Sequence, residues 1–520
     1  MMKLRAQNNP DRQTPPGNLL ATRWGRGIVL LLGTTLAWAG TPGLAPHKKP
    51  VKPVTHKKAT HSYSTKSRTT ETKSHTHLYR AATVTAATEE DFAEPVSTGS
   101  ARAFLYPHAL DSFFNALSTQ LSATAPLPPG DYAPTVRVLQ FGDSHTAADL
   151  FTGEMRTQLQ SRFGNGGLGF QYPGHPFAGY RLQDSTRSQS YGWQTQGNHF
   201  NDLGDGDTGL GGIAISTHRA GESVTVSTTC KNLEVQYLRQ PGGGRLRFTD
   251  NGVFISNIDT SNDAPASATL NSGPTPTLPD TDAPRAAGAM GYACTAGVHD
   301  YQLTTLDSSP VRLLGIVTEQ PGITYETLGI NGAVATLMLR WNQQLFAQYL
   351  SERHPNLIVL AYGTNEATGD SNRNDEYVAA FHRLLQTLHH VAPDASILVL
   401  GPYDREIRTR VGRYGRWTTS TAIGRIIADQ REACRVDNCA FYDQRARMGG
   451  PGSMARWVGR GLGQGDFTHL TAPGYRLMAD FLYRDLMALY KSYTPPTENN
   501  DSLALPKALP LVKPSVTPAL

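Results

Sequence analysis

Two short runs set the frame for this chain. Val136-Arg137-Val138-Leu139-Gln140-Phe141 and Leu357-Ile358-Val359-Leu360-Ala361-Tyr362 are apolar enough to be strands buried in a parallel sheet. Each stops at a glycine that opens a polar word, Gly142-Asp143-Ser144-His145 in the first case and Gly363-Thr364-Asn365-Glu366 in the second. Apolar residues at helical spacing occupy 110–121, 146–163, 331–353, 376–391 and 471–490, and further strands are predicted at 396–400 and 440–443. Alternation of this kind predicts an α/β fold, a parallel sheet covered by helices on both faces. Its ligand site should lie at the carboxyl ends of the strands, where both polar words fall.

Between residues 185 and 320 the texture changes. Period-two stretches such as Ser223-Val224-Thr225-Val226-Ser227 and Asn232-Leu233-Glu234-Val235-Gln236-Tyr237 dominate, and 300–306 and 311–318 supply more strands. Asp250-Asn251-Gly252 separates two alternating runs and marks a hairpin, because Asn-Gly tolerates positive φ. No helix of useful length is visible. The segment is expected to be an all-β sandwich inserted into the α/β unit, which then consists of 101–184 plus 321–490.

The ends read differently again. A basic leader precedes the apolar run 27–39, which closes on Ala37-Trp38-Ala39, the layout of a secretory signal peptide over 1–39. The run is shorter than the roughly 18 residues that span a bilayer, so a permanent anchor is the weaker reading. Residues 40–100, rich in Pro, Thr, Ser, Lys and His, hold too little apolar surface to offset ordering entropy and read as a disordered linker. The Pro-rich tail, 491–520, reads the same way. The formal charge of +5 comes from these N-terminal stretches: residues 47–80 alone carry nine Lys/Arg against Glu71. The remainder is net acidic and shows no nucleic-acid footprint. The cationic linker is either a tether to an anionic envelope polymer or a solvated spacer.

Four cysteines allow three pairings. Cys230 with Cys294 and Cys434 with Cys439 is favoured because each pair stays within one unit, and such bonds agree with export; four buried thiols is the alternative. The spacing does not suggest zinc.

Near the C-terminus a third word, Asp466-Phe467-Thr468-His469, puts an acid and a base three positions apart. Taken alone it could cap the final helix, and Gly363-Thr364-Asn365 could be only a β-to-α bend. Together with Ser144 the words hold a nucleophile, an amide donor and an acid-steadied base, the parts of acyl transfer through serine. His145 and His175 read as structural histidines. Trp341, Trp457 and Tyr362 read as packing residues rather than a sugar platform.

The three words in this order resemble the SGNH/GDSL hydrolase family, over residues 101–184 and 321–490. The resemblance implies a three-layer fold in which Ser144, His469 and Asp466 form a triad. It further implies an oxyanion hole of the Ser144 and Gly332 N–H groups and the Asn365 side-chain amide, with no cofactor or metal. Glu366 stands where the family more often has Asp, a departure expected to matter little. The chain is most similar to exported peptidoglycan O-acetylesterases and related carbohydrate esterases, some of which carry an inserted sandwich like a carbohydrate-binding module; Met448-Gly449-Gly450-Pro451-Gly452-Ser453 to Trp457 and Gly474-Tyr475 also look like that branch. The resemblance implies removal of O-acetyl groups from a glycan, muramic acid of peptidoglycan first, with acetylated polysaccharide as the partner. It also implies a periplasmic or extracellular location. A glycan O-acetyltransferase using the same serine, and a non-catalytic wall-binding protein, are the competing readings; oligomeric state is open.

Overall fold

The computed structural model describes residues 103–122, 135–178, 180–197, 204–262, 267–270, 285–368, 374–411 and 414–495. The expected signal peptide, the linker and nearly all of the expected tail lie outside the described residues.

The α/β unit is built on one six-stranded sheet. Its strands are β1 (Phe104–Leu105), β2 (Val136–Gly142), β3 (Ile323–Gly329), β4 (Leu357–Ala361), β5 (Ser396–Gly401) and β6 (Ala440–Asp443), ordered β1-β6-β5-β4-β2-β3. Five run parallel, but β1 pairs antiparallel with β6, so the sheet is mixed rather than wholly parallel as expected. Among the described residues its longer covering helices are α1 (Asp111–Ser122), α2 (Phe151–Phe163), α3 (Gln343–Arg353), α4 (Asn374–Val391), α5 (Thr421–Val436) and α6 (Ala472–Ser492). Alternate strand residues choose the face. Leu139, Phe141, Ile358 and Leu360 pack with Phe346 of α3, Leu384 of α4 and Ile423 of α5. Val136, Val138, Leu357 and Val359 pack with Phe113 of α1, Met155 of α2 and Leu482 of α6. The result is three layers. No helix among the described residues is long and apolar enough to cross a membrane.

The strand β3 is not evident in the sequence, because its polar residues are buried. Thr324, Glu326 and Thr327 are each fully covered. Glu326 faces the guanidinium of Arg353, whose Nε donates to Oε2 at 3.2 Å, and Thr327 donates to Asp149 Oδ1 at 2.6 Å. Buried polar groups are tolerated when paired, and such pairing is not visible in a hydropathy pattern.

The described residues of 185–320 form strands and no α-helix. One sheet of five strands and one of seven enclose a shared core that includes Val226, Leu233, Val235, Phe248, Tyr301 and Leu313. Asn251 and Gly252 take φ 48° and 78° in the hairpin turn, as both central positions of the tightest hairpins require. Gly169–Gln171, from the preceding segment, is one of the seven strands of the larger sheet. Leu210, Ile213, Leu238 and Leu314 pack into the same cluster as Trp341, Phe346 and Tyr349, so the larger sheet shares a core with the α/β layers. Cys230 is bonded to Cys294 and Cys434 to Cys439.

A two-stranded ribbon, β7 (Glu406–Val411) with β8 (Tyr414–Thr419), leaves the α/β unit between β5 and α5. The sequence reading does not mark it.

Candidate active site

The chain leaves β2 at Gly142 and enters a single helical turn, Ser144–Ala147. Asp143 caps that turn: Oδ1 accepts the His145 N–H at 2.9 Å, and its carbonyl accepts the N–H groups of Thr146 and Ala147 at 3.1 and 3.0 Å. A Cβ on residue 142 would lie 2.1 Å from Thr146 Oγ1 and 2.9 Å from the Ala361 carbonyl oxygen. Only glycine lets the turn sit this close to the sheet. Ser144 therefore starts at the end of β2, and its Oγ lies 2.9 Å from His469 Nε2.

Asp466 does not cap the last helix. That role falls to Thr471, whose Oγ1 accepts the Gly474 N–H at 3.3 Å, with Pro473 in the first turn. Asp466 instead closes its own turn, its Oδ1 accepting the N–H groups of Thr468 and His469 at 3.0 Å each, while Oδ2 lies 2.7 Å from His469 Nδ1. Burial raises the Asp466 carboxyl, but His469 and the two backbone donors outweigh it and hold the pKa below its usual value. An ionised Asp466 keeps the proton on Nδ1, so Nε2 presents its lone pair to the Ser144 hydroxyl.

Asn365 follows β4, the neighbour of β2. Its Nδ2 donates to the Ala333 carbonyl at 2.9 Å and, over a longer 3.4 Å, to Asp143 Oδ2. Gly332 adjoins Ala333 in the loop after β3, with φ 76°. The chain enters β3 on one side of β2 and then returns to β4 on the other, so β2 and β4 flank a switch point, where α/β sheets form their crevices.

Four further residues act beneath this surface. Glu366 is not idle: its Oε1 accepts the Ala335 N–H at 2.8 Å and ties the Asn365 loop to the Gly332 loop. Burial pushes its pKa up to about 7. Arg405 Nη1 donates to the Thr364 carbonyl at 3.1 Å; burial lowers its pKa, and the charge of Asp466 opposes that fall. His145 lies beneath His469, ring centroids 5.0 Å apart, with Nδ1 2.7 Å from the Tyr475 hydroxyl. Burial, then the nearby His469, lower the His145 pKa to about 3, so it packs as a neutral floor. Asp143 is pushed up to about 8 by burial, and by Glu366, against the opposing His145 N–H. Asp143, His145 and Glu366 sit inside the short words and Arg405 outside them, but all four act through burial and long-range contact.

Other residues singled out in the sequence lie elsewhere. His175 Nε2 is 2.7 Å from the Arg187 carbonyl oxygen. Trp341, Trp457 and Tyr362 are buried in the core clusters.

Residues 294–477 match the model of the GDSL-like lipase/acylhydrolase family, a span that takes in Gly332, Asn365, Asp466 and His469 and starts after Ser144. A solved peptidoglycan O-acetylesterase is 24% identical, with a TM-score of 0.58, covering 75% of this chain and 100% of its own. Family two carbohydrate esterases are more distant. That of Clostridium thermocellum, solved with cellohexaose, is 13% identical with a TM-score of 0.25, over 57% of this chain and 98% of its own. That of Cellvibrio japonicus is 11% identical with a TM-score of 0.24, over 59% and 98%. No curated protein matches. Residues 294–477 thus match the GDSL-like lipase/acylhydrolase family, and the fold is that of the solved O-acetylesterase.

Proposed function

We propose that the protein is an exported serine esterase that removes O-acetyl groups from a glycan, most specifically from muramic acid of peptidoglycan. The observation that carries this reading is the continuous relay from Ser144 Oγ through the His469 ring to Asp466, at 2.9 and 2.7 Å. As Ser144 Oγ attacks the acetyl carbonyl, its proton passes to His469 Nε2, and Asp466 steadies the imidazolium. The carbonyl oxygen becomes an oxyanion held by the N–H groups of Ser144 and Gly332 and by the Asn365 amide. The long Asn365–Asp143 contact suits this role: with Asp143 neutral it is a weak bond, and that amide proton can turn to a full negative charge. Collapse expels the sugar oxygen, which takes the proton from His469. Water, activated by the same ring, then releases acetate and restores Ser144.

The likeness to the solved O-acetylesterase favours acetylated wall glycan as substrate, and that substrate with the 1–39 segment favours a periplasmic or extracellular location. We read 185–320 as an inserted sandwich domain, on the strength of its two sheets around one core, and as part of the substrate cleft because it enters and leaves the catalytic fold between the Ser144 and Asn365 blocks. The test is acetate release by the purified protein from 4-nitrophenyl acetate and from O-acetylated peptidoglycan, alongside Ser144→Ala. Release from both, lost in the variant, is expected. No release from either, or release that survives the substitution, would overturn the reading; acetyl transfer seen only with an added glycan acceptor would replace it with the transferase.

A further inference from the structure

We propose that the β7–β8 ribbon is a substrate-binding arm that takes a carboxylate-bearing glycan strand beside the acid-base turn; this rests on the esterase reading above. The ribbon is rooted in the site. Glu406 N–H donates to the Phe467 carbonyl at 3.0 Å, Ser420 N–H to the Arg405 carbonyl at 2.9 Å, and Arg405 reaches the Asn365 loop through Thr364. Just before it, buried Asp404 accepts from Arg445 Nε at 2.8 Å and Met454 N–H at 3.1 Å, so the root is held fast. Trp417 of β8 stacks on Phe467, ring centroids 4.6 Å apart, and Phe467 is the residue between Asp466 and Thr468. Yet Trp417 remains 38% exposed. An aromatic ring left open against the residue next to a candidate triad acid offers the apolar face of a sugar ring a platform.

The charge on the arm points to the class of sugar. Arg408, Arg410 and Arg416 are exposed, and none has an acidic partner among the described residues. The ribbon's own acid, Glu406, is buried at its root. Arg408 pairs across the ribbon with Trp417 and Arg410 with Gly415, which places both arginines on the Trp417 face; Arg416 is on the other. Glycine at 415 matters here: a Cβ would lie 2.4 Å from Arg408 Nε, so its absence lets the guanidinium cross the ribbon over position 415, on the face that carries Trp417. Guanidinium groups on the same face as an open indole suit a glycan strand that bears carboxylates, the indole taking a sugar face and the arginines a carboxylate by paired N–H donors. Outside its N-terminal stretches the chain is net acidic, so this is a local cationic patch and not a general basic surface.

The experiment compares the full chain with the triple variant Arg408→Gln/Arg410→Gln/Arg416→Gln and with Trp417→Ala and Trp417→Phe. Each is assayed on 4-nitrophenyl acetate, on O-acetylated peptidoglycan, and on a soluble acetylated cellulose that carries no carboxylate. The triple variant should lower kcat/KM for peptidoglycan by about tenfold or more relative to 4-nitrophenyl acetate, through KM, and added salt should narrow the gap. The acetylated-cellulose ratio should hold. Trp417→Ala should depress both polymer ratios and Trp417→Phe restore them in large part. An unmoved peptidoglycan ratio, or an equal fall on the neutral polymer in the triple variant, would overturn the proposal. Binding separates it from the esterase reading: in a Ser144→Ala background, the three arginine substitutions should reduce co-sedimentation with peptidoglycan. Undiminished co-sedimentation would refute the arm even in a protein that turned over no ester.

Discussion

Asp466 Oδ1 accepts two backbone N–H groups while Oδ2 faces His469, so hydrogen bonds steady its charge although the side chain is 47% exposed. The amide of Asn365 is held less completely, and its removal tests the oxyanion role: Asn365→Ala should lower kcat by about 10²–10³ with KM little changed. Steady-state kinetics on 4-nitrophenyl acetate would check it; a loss under threefold would argue for a purely structural amide. Asp143 offers a test of electrostatics. Its folded pKa is raised to about 8, so its contribution to stability is full below pH 3.8 and is lost as the pH rises through about 8. Asp143→Asn, which cannot ionise, should gain on the wild type as the pH climbs from 4 to 9, by on the order of a few kcal/mol at the top. Thermal melts at several pH values would show this, and a gap that stays constant would contradict the burial argument. Ser144, Asp466 and His469 could be picked out in the sequence because each sits in a short word with its chemistry exposed. Arg405 could not, and the parts played by Glu366 and His145, though both residues sit in those words, depend on what the fold brings above and beside them.

At the scale of elements, strands with an apolar-polar period or a uniformly apolar run were legible, and the turn at Asn251-Gly252 with them. The ribbon β7–β8 was not, for its alternation sets arginine rather than aliphatic residues on its faces and it buries little beyond its root. The strand β3 was hidden by the opposite circumstance, polar residues fully covered and paired. The expected helix over 331–353 divides into a 3₁₀ stretch, Ala335–Arg340, and α3, because Asn342 caps the latter through the Leu345 N–H at 3.2 Å. The two disulfides differ in what they constrain. Cys230–Cys294 closes a separation of 64 residues and Cys434–Cys439 one of 5. Loop-closure entropy then predicts about 4 kcal/mol lost on removing the first and about 2 kcal/mol on removing the second. Serine replacements of each pair, compared by denaturant titration, should rank in that order; the reverse ranking would place the stabilisation in the folded state instead.

Across the whole molecule, a charge cluster joins the β-rich region to the α/β layers. Glu319, at the end of a strand in the larger sheet, accepts from Arg137 Nε and Nη2 of β2 at 2.9 and 3.0 Å, and also from Arg353 of α3, which in turn serves Glu326 of β3. Burial raises the Glu319 carboxyl, but the two arginines prevail and lower it to about 2. A depressed acid stabilises the fold above its unfolded pKa, so this contribution is intact above about pH 4.5 and fades as the pH falls towards 2. Glu319→Gln should therefore cost most near neutrality and little near pH 2, read as melting temperature against pH. An undiminished deficit at pH 2 would mean that packing, not charge, is what the substitution removes. The three-layer arrangement was legible from alternation, but this cluster and the common core around Trp341 and Tyr349 were not, because they join residues far apart in the chain.

The missing side chain at position 142 has one more implication. With no atom to spare between the serine turn and the strands below it, the attacking oxygen is registered to the sheet as a cog is to its shaft, and any change in strand twist carries it along. Variants with altered substrate choice should thus be sought in the rim loops and the ribbon, where the surroundings can be recut while the reactive atom keeps its address.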